Sequence, residues 1–173
     1  MIKLKDILLE GKRLLVFDFD DTLASSEAII HLTKKDGSKV ELDPAEYAVY
    51  KEEPGDVFDF SEFNGMLKNP QSIKKNMQML KTALKNRQNK VTILTARELG
   101  YPMKHYFNKE HNIDPYIVPV GSSDPQVKAK FIEDHIKKGY DYIFFIDDSP
   151  KNVAAVKNLK KKYPKVTFVI KQA

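Results

Sequence analysis

The chain contains no cysteine, and that one absence removes several chemistries together. A disulfide framework, a thiolate zinc site and a cysteine nucleophile are all excluded. Long apolar runs are missing as well. The opening stretch MIKLKDILLEGKR holds an unbroken apolar run of only three residues, Ile7 to Leu9. That is too short for a signal-peptide core or a membrane span, so a cytoplasmic protein with no membrane partner is the expectation. No internal repeat or low-complexity tract stands out. The four histidines, His31, His105, His111 and His135, show no metal-ligand spacing to one another.

What is present reads as one globular domain with room for a modest insertion: 173 residues, 42% hydrophobic and 31% charged. The net charge of +5 and a pI near 9.1 favour anionic partners, either a phosphorylated small molecule or nucleic acid. The lysines are scattered except for KNLKKKYPK at 157–165, a run that on a late helix reads as a solvated face. No protein partner is implied.

Five short segments rich in Val, Ile and Phe read as strands, at 13–19, 90–95, 116–121, 141–147 and 165–171. They are apolar on both faces, as central parallel strands are. Amphipathic helical stretches separate them, three opening with a proline near the first turn, with Asp124 and Ser149 as caps for two. The segment KLKDILLEG reads as a further helix packed on the outside. Alternating strand and helix predicts an α/β fold: a Rossmann-like three-layer sandwich whose five-stranded parallel sheet carries helices on both faces.

The spacing contains one irregularity. Later strands begin about 25 residues apart, one strand-helix unit each, whereas about 75 residues separate the first two. A helix over 70–87 accounts for part of the excess. Residues 24–69 are then a small insertion after the first strand, and 1–23 with 70–173 form the core. Inside the insertion, Asp36-Gly37 between two alternating runs predicts a hairpin. The remainder, DPAEYAVYKEEPGDVFDFSEFNGM, reads as a short helix plus loops.

The chemistry-bearing residues fall at strand ends. In an open parallel sheet, ligands bind outside the carboxyl ends of the strands. The first strand delivers Asp18, Asp20, Asp21 and Thr22 to that edge, the second Thr95 and Arg97, the fourth Asp147 and Asp148. Carboxylates this close repel one another unless a cation sits among them, and all-oxygen ligands favour a hard ion, so Mg²⁺ is the expected cofactor. A lysine belongs there too. At about 100° per residue, Val127, Phe131, Ile132 and Ile136 sweep an arc of roughly 180°. Lys128 points near its middle and Lys130 nearly opposite, which selects Lys128. His135 shares the same arc as a satisfied core residue.

Those residues resemble the haloacid dehalogenase superfamily of phosphohydrolases across nearly the whole chain. DFDDT at 18–22 is similar to its DxDx(T/V) first motif, ILT ending at Thr95 to its second, Lys128 to its third and FFIDDSP at 144–150 to its fourth. The insertion corresponds to that family's small cap beside its flap. The resemblance implies a Mg²⁺-dependent phosphatase in which Asp18 is the nucleophile and forms an aspartyl-phosphate. It also implies that Asp20 protonates the leaving oxygen and later activates water, while its backbone carbonyl takes a metal position. Thr22 would brace the turn, and Thr95 and Lys128 would bind phosphoryl oxygens. Asp18, Asp20, Asp147 and Asp148 make up the implied metal set. An acid at Asp20 argues for phosphate esters over the halide-removing branch, and Lys34, Lys35 and Lys39 read as surface lysines rather than a Schiff-base residue.

Several readings stay open from sequence. Arg97 either clamps a substrate phosphate or pairs with Glu98. Asn152 either braces the fourth-motif loop or merely occupies a first helical turn, and Asp21 reads as solvent-facing. Tyr47, Tyr50, Phe58, Phe60 and Phe63 either stack on a base or form the insertion's own core. TARE at 95–98 and QVKAKFIEDHI at 126–136 look like the phosphatase half of polynucleotide kinase-phosphatases, which remove phosphate from 3′ ends. The substrate is therefore a small phosphate ester, a nucleotide or a nucleic-acid end, and transfer to another acceptor is an alternative to hydrolysis. A different class, a non-catalytic module binding nucleic acid through the basic helix at 150–163, predicts salt-sensitive binding independent of Asp18.

Overall fold

Strand β1 (Lys12–Phe17) carries Leu14, Val16 and Phe17 without any exposed surface, because successive side chains enter opposite, equally covered faces of one sheet. A computed structural model describes residues 11–173. The outer helix read from KLKDILLEG lies outside the described residues but for Gly11. After β1 come β2 (Ala24–Ser25), β3 (Ile30–Thr33), β4 (Lys39–Leu42), helix α1 (Pro44–Val49), β5 (Val57–Asp59), a 3-10 turn (Ser61–Asn64) and β6 (Gln71–Ser72). The chain then alternates through α2 (Lys74–Lys85), β7 (Asn89–Thr95), α3 (Tyr101–His111), β8 (Tyr116–Pro119), α4 (Pro125–Lys137), β9 (Tyr140–Asp147), α5 (Pro150–Lys162) and β10 (Thr167–Gln172).

The main sheet is five-stranded and all parallel, in the order β8-β7-β1-β9-β10. One face packs Leu15, Phe17, Val91 and Ile93 against Met77 and Leu80 of α2 and Met103 and Phe107 of α3. The other packs Leu14, Val16, Leu94 and Phe145 against Ile132 of α4 and Val153 and Val156 of α5. This is the α/β three-layer sandwich expected from the strand and helix alternation. Asp124 caps α4 by accepting from Gln126 N at 2.9 Å, and Ser149 caps α5 by accepting from Asn152 N. No helix among the described residues is long and apolar enough to cross a membrane.

Between β1 and α2 the chain builds a second, antiparallel sheet in the order β4-β3-β5, with its own apolar cluster of Ala28, Ile30, Leu32, Leu42 and Phe63. The hairpin turns where expected. Asp36 Oδ1 accepts from Ser38 N and Oγ, and Gly37 takes φ +84°, which a side chain would resist.

The first and last strands of the main sheet run Lys12–Phe17 and Thr167–Gln172 rather than 13–19 and 165–171, and three further details differ from the sequence reading. Strand β5 falls in the stretch expected to be helix and loop; it has three residues, and its ladder with β3 at 31–33 supplies the order that its own sequence does not. The helix expected over 70–87 starts only at Lys74. Gln71 and Ser72 instead pair with Ser25 and Ala24, and Ile73 N donates to Leu23 O, so the tertiary ladder overrides the helical pattern. The third main-sheet strand ends at Pro119 rather than 121, where proline offers no N–H and Gly121 turns to φ +62°.

Phe145 is fully buried on the α4/α5 face, whereas Val49 is 66% exposed. Phe145→Ala is expected to lower stability by about 3–5 kcal/mol and Val49→Ala by less than about 0.5 kcal/mol, read by urea unfolding.

Candidate functional site

Sheet register brings the first carboxylates together. Phe17 pairs with Ile146, and Asp18 N still donates to Ile146 O at 3.0 Å, so Asp18 leaves β1 beside Asp147 at the end of β9. The loop after Asp18 then folds back tightly. Leu23 N donates to Phe19 O at 2.9 Å, and Asp21, half-exposed, adopts φ +51°, a conformation Asp tolerates better than most residues. This turn aims Thr22 inward, where its fully buried Oγ1 accepts from Asp148 N at 3.0 Å and ties the two acidic loops together.

Lys128 enters from the second turn of α4. Its ammonium lies 2.7 Å from Asp18 Oδ1 and 2.8 Å from Asp147 Oδ2, with only 3% of the residue exposed. Lys130 is exposed and pairs with Asp134 on its own helix. His135 is buried on the Lys128 face with Nδ1 against Phe131 O at 2.9 Å. Asn152 donates to both oxygens of Asp147, at 2.9 and 3.1 Å, and Ser149 N donates to Oδ1 at 2.9 Å. Asn152 therefore does brace the loop. With Lys128 included, the four acceptor sites of the Asp147 carboxylate are filled.

Asp18, Asp147 and Asp148 each present an oxygen within 4.8 Å of the others, a cluster able to hold a metal ion. Its electrostatics show a shortage of positive charge. Burial first, then the neighbouring carboxylates, raise the Asp18 carboxyl well above its ordinary value against the pull of Lys128. Burial, then Asp147 and Asp21, push Asp148 up to about 7. Burial alone would lower Lys128, yet Asp18 and Asp147 hold it above the usual lysine range. Three carboxylates facing one ammonium leave a formal charge of −2 when all are ionised.

Asp20 stands apart from this cluster. Its carboxylate turns to Arg97, which donates from Nε to Oδ2 at 2.9 Å and from Nη2 to Oδ1 at 2.7 Å. The Asp20 side chain thus stays outside the cluster, which is compatible with the metal position expected of its backbone carbonyl. Arg97 pairs neither with Glu98 nor outward: it is 4% exposed, donates from Nη1 to Phe63 O at 3.0 Å and lies over the Phe63 ring at 4.7 Å. Its fork fits a carboxylate, but the partner sits 77 positions away and no local pattern names it. Thr95 is fully buried, its Oγ1 accepting from Arg97 N at 3.2 Å.

A cavity of about 410 Å³ opens from Asp18, Asp20, Lys128 and Asp148. The insertion supplies one wall, including Tyr47, Phe60 and Phe63, and Ser122 and Ser123 line another part. The two serines escaped the sequence reading, since a polar loop after a strand carries no distinguishing signal. Of the insertion's aromatics, Phe63 belongs to its buried core and Tyr47, Tyr50 and Phe58 pack against that core, while Tyr47, Phe60 and Phe63 also line the cavity.

No protein-family model matches the chain, and neither a curated protein nor a solved structure matches it.

Two predictions follow from the charge shortage. Lys128→Met strands buried carboxylates without their cation and is expected to cost about 3–5 kcal/mol of unfolding free energy by urea titration. In chelator, the folded protein holds a proton on Asp148 up to about pH 7, whereas an unfolded aspartate loses it near pH 3.9. The native state binds more protons across that window, so stability falls as pH rises from about 4 to 7 and then levels. An added divalent cation should restore it most at pH 7 and above, read as a melting-temperature rise.

Proposed function

We propose that the protein is a Mg²⁺-dependent phosphomonoesterase of the haloacid dehalogenase type, with Asp18 as its nucleophile. The observation that carries this reading is the buried cluster of three carboxylates and Lys128, two positive charges short of neutrality, opening directly into a cavity. The donor set fits Mg²⁺: every ligand is a hard oxygen, and the open side leaves places for water and a substrate phosphate. Asp18 and Asp148 would hold the ion directly. Asp147, its acceptor sites already filled by Lys128, Ser149 N and Asn152, would act by fixing Lys128 beside Asp18. When bound, the ion neutralises phosphoryl oxygens that would otherwise be repelled by the aspartates.

The chain's own residues then account for the steps. A carboxylate oxygen of Asp18, steadied by Lys128, attacks phosphorus; the new P–O bond to Asp18 forms as the bond to the leaving alcohol oxygen breaks. That oxygen takes a proton from Asp20. Water next attacks the aspartyl-phosphate, gives its proton back to Asp20, and frees orthophosphate and Asp18. One water is consumed, and one alcohol and one orthophosphate leave. Both Asp20 oxygens accept from Arg97 at rest, so Asp20 serves as acid only once that fork shifts and the proton of the bound phosphate monoanion has passed to it. Lys128 also meets the phosphoryl oxygens. Thr95, closed beneath the Arg97 backbone, holds the turn that presents Arg97.

Asp18→Asn is expected to reduce Mg²⁺-dependent phosphate release from an aryl phosphate to below roughly one-thousandth of wild type, with the fold intact by circular dichroism. Retained turnover in that variant would remove Asp18 from the chemistry and the assignment with it.

A further inference from the structure

We infer that the substrate is a mononucleotide, a phosphate monoester whose leaving group is one nucleoside; this rests on the phosphomonoesterase reading and narrows it. The first support is the character of the wall facing the carboxylates. Ile30, Pro44, Tyr47, Ala48, Phe60 and Phe63 make it apolar and rich in rings, a poor match for the hydroxyl-covered leaving group of a sugar or glycerol phosphate. Phe60 is the telling residue. It is the one large apolar side chain of the cavity lining that stays substantially exposed, at 37%. The insertion's buried cluster closes over Phe63 and packs Tyr47, Tyr50 and Phe58 against itself; Phe60 stacks on Phe58 and meets Tyr47 and Phe63 edge-on, yet keeps part of its ring open. A flat, partly polar ring laid on the exposed part of Phe60 covers what the fold does not, since bases stack on aromatic faces irrespective of sequence.

The second support is the polar groups beyond that wall. Asn64 Nδ2 donates to Glu98 Oε2 at 3.4 Å, joining the insertion to the loop after β7. Ser122 and Ser123 line the same cavity as Tyr47. Carboxylate, amide and hydroxyl groups are suited to ribose hydroxyls and base edges.

The third support is the charge distribution, which argues against a polynucleotide end. Each further backbone phosphate needs a cation beside it. The basic residues lining the cavity are Arg97 and Lys128, and both are engaged with carboxylates. Lys157, Lys160 and Lys161 border a separate groove against β10 that shares no residue with the cavity. The volume of about 410 Å³ also lies near the small end of the range for small-molecule sites, about 300–1,000 Å³.

The test is a Mg²⁺-dependent phosphate-release panel on the full chain: nucleoside 5′- and 3′-monophosphates, p-nitrophenyl phosphate, glycerol phosphate, glucose 6-phosphate and a 3′-phosphorylated oligonucleotide. Mononucleotides are expected to exceed glycerol phosphate, glucose 6-phosphate and the oligonucleotide in kcat/KM by at least about tenfold. In Phe60→Ala, the mononucleotide-to-glycerol-phosphate ratio should fall about tenfold through loss of one stacking contact. An oligonucleotide or sugar phosphate turned over as well as any mononucleotide overturns the inference. So does p-nitrophenyl phosphate turned over faster than every mononucleotide, because the wall then reads a bare ring. If no compound is hydrolysed, the phosphatase reading fails separately and calorimetry with Mg²⁺ decides. Mononucleotide binding at least tenfold tighter than glycerol phosphate or inorganic phosphate upholds the nucleoside site, and equal binding overturns it.

Discussion

The ammonium of Lys128, 2.7 Å from Asp18 and 2.8 Å from Asp147, is what permits two aspartates to sit side by side in a nearly waterless place. Each buried carboxylate without a partner carries a desolvation cost that its neighbours increase. One lysine shared between two of them offsets part of this and fixes both side chains at once. It also leaves the cluster two charges short. That deficit is relieved when a carboxyl keeps its proton, as Asp148 does up to about pH 7, or when a cation binds, and the second route is the physical reason for reading the cluster as a candidate metal site.

Arg97 performs the complementary task on the other side of the cavity. Its guanidinium holds Asp20 through two hydrogen bonds, reaches the Phe63 carbonyl with a third and lies over the Phe63 ring. A residue from the end of a core strand thereby joins the loop after β1 to the insertion. The insertion's position and the freedom of Asp20 are consequently not independent. Any displacement of Phe63 changes the setting of the arginine fork, and any ligand that competes for Arg97 releases the carboxylate it restrains.

The main sheet was readable from periodicity because its strands are apolar on both faces, and only a sheet covered by helices on two sides produces that pattern. Lys128 was likewise readable. A charged residue in the middle of an apolar helical arc has few explanations besides a buried partner. The insertion was readable in part: its hairpin carries a two-residue turn signal, whereas β5 is three residues long and β6 two, and ladders that short are held by their partners rather than by their composition. Arg97 shows the same limit for side chains. Its chemistry, a bidentate fork, followed from residue type; whether that fork met a substrate, Glu98 or Asp20 was decided by distances across the fold.

Residue order therefore settled the layer architecture, the strand ends that meet at one rim and the acidic, lysine-bearing character of that rim, because all three depend on local periodicity and on the general behaviour of parallel sheets. Folding settled the rest: that Asp147 is saturated while Asp148 is open, that Asp20 faces Arg97 instead of the other aspartates, and that Tyr47, Phe60 and Phe63 line a cavity. Those outcomes turn on separations of a few ångströms between residues tens of positions apart. Sequence spacing carries no information on that scale until the chain has packed.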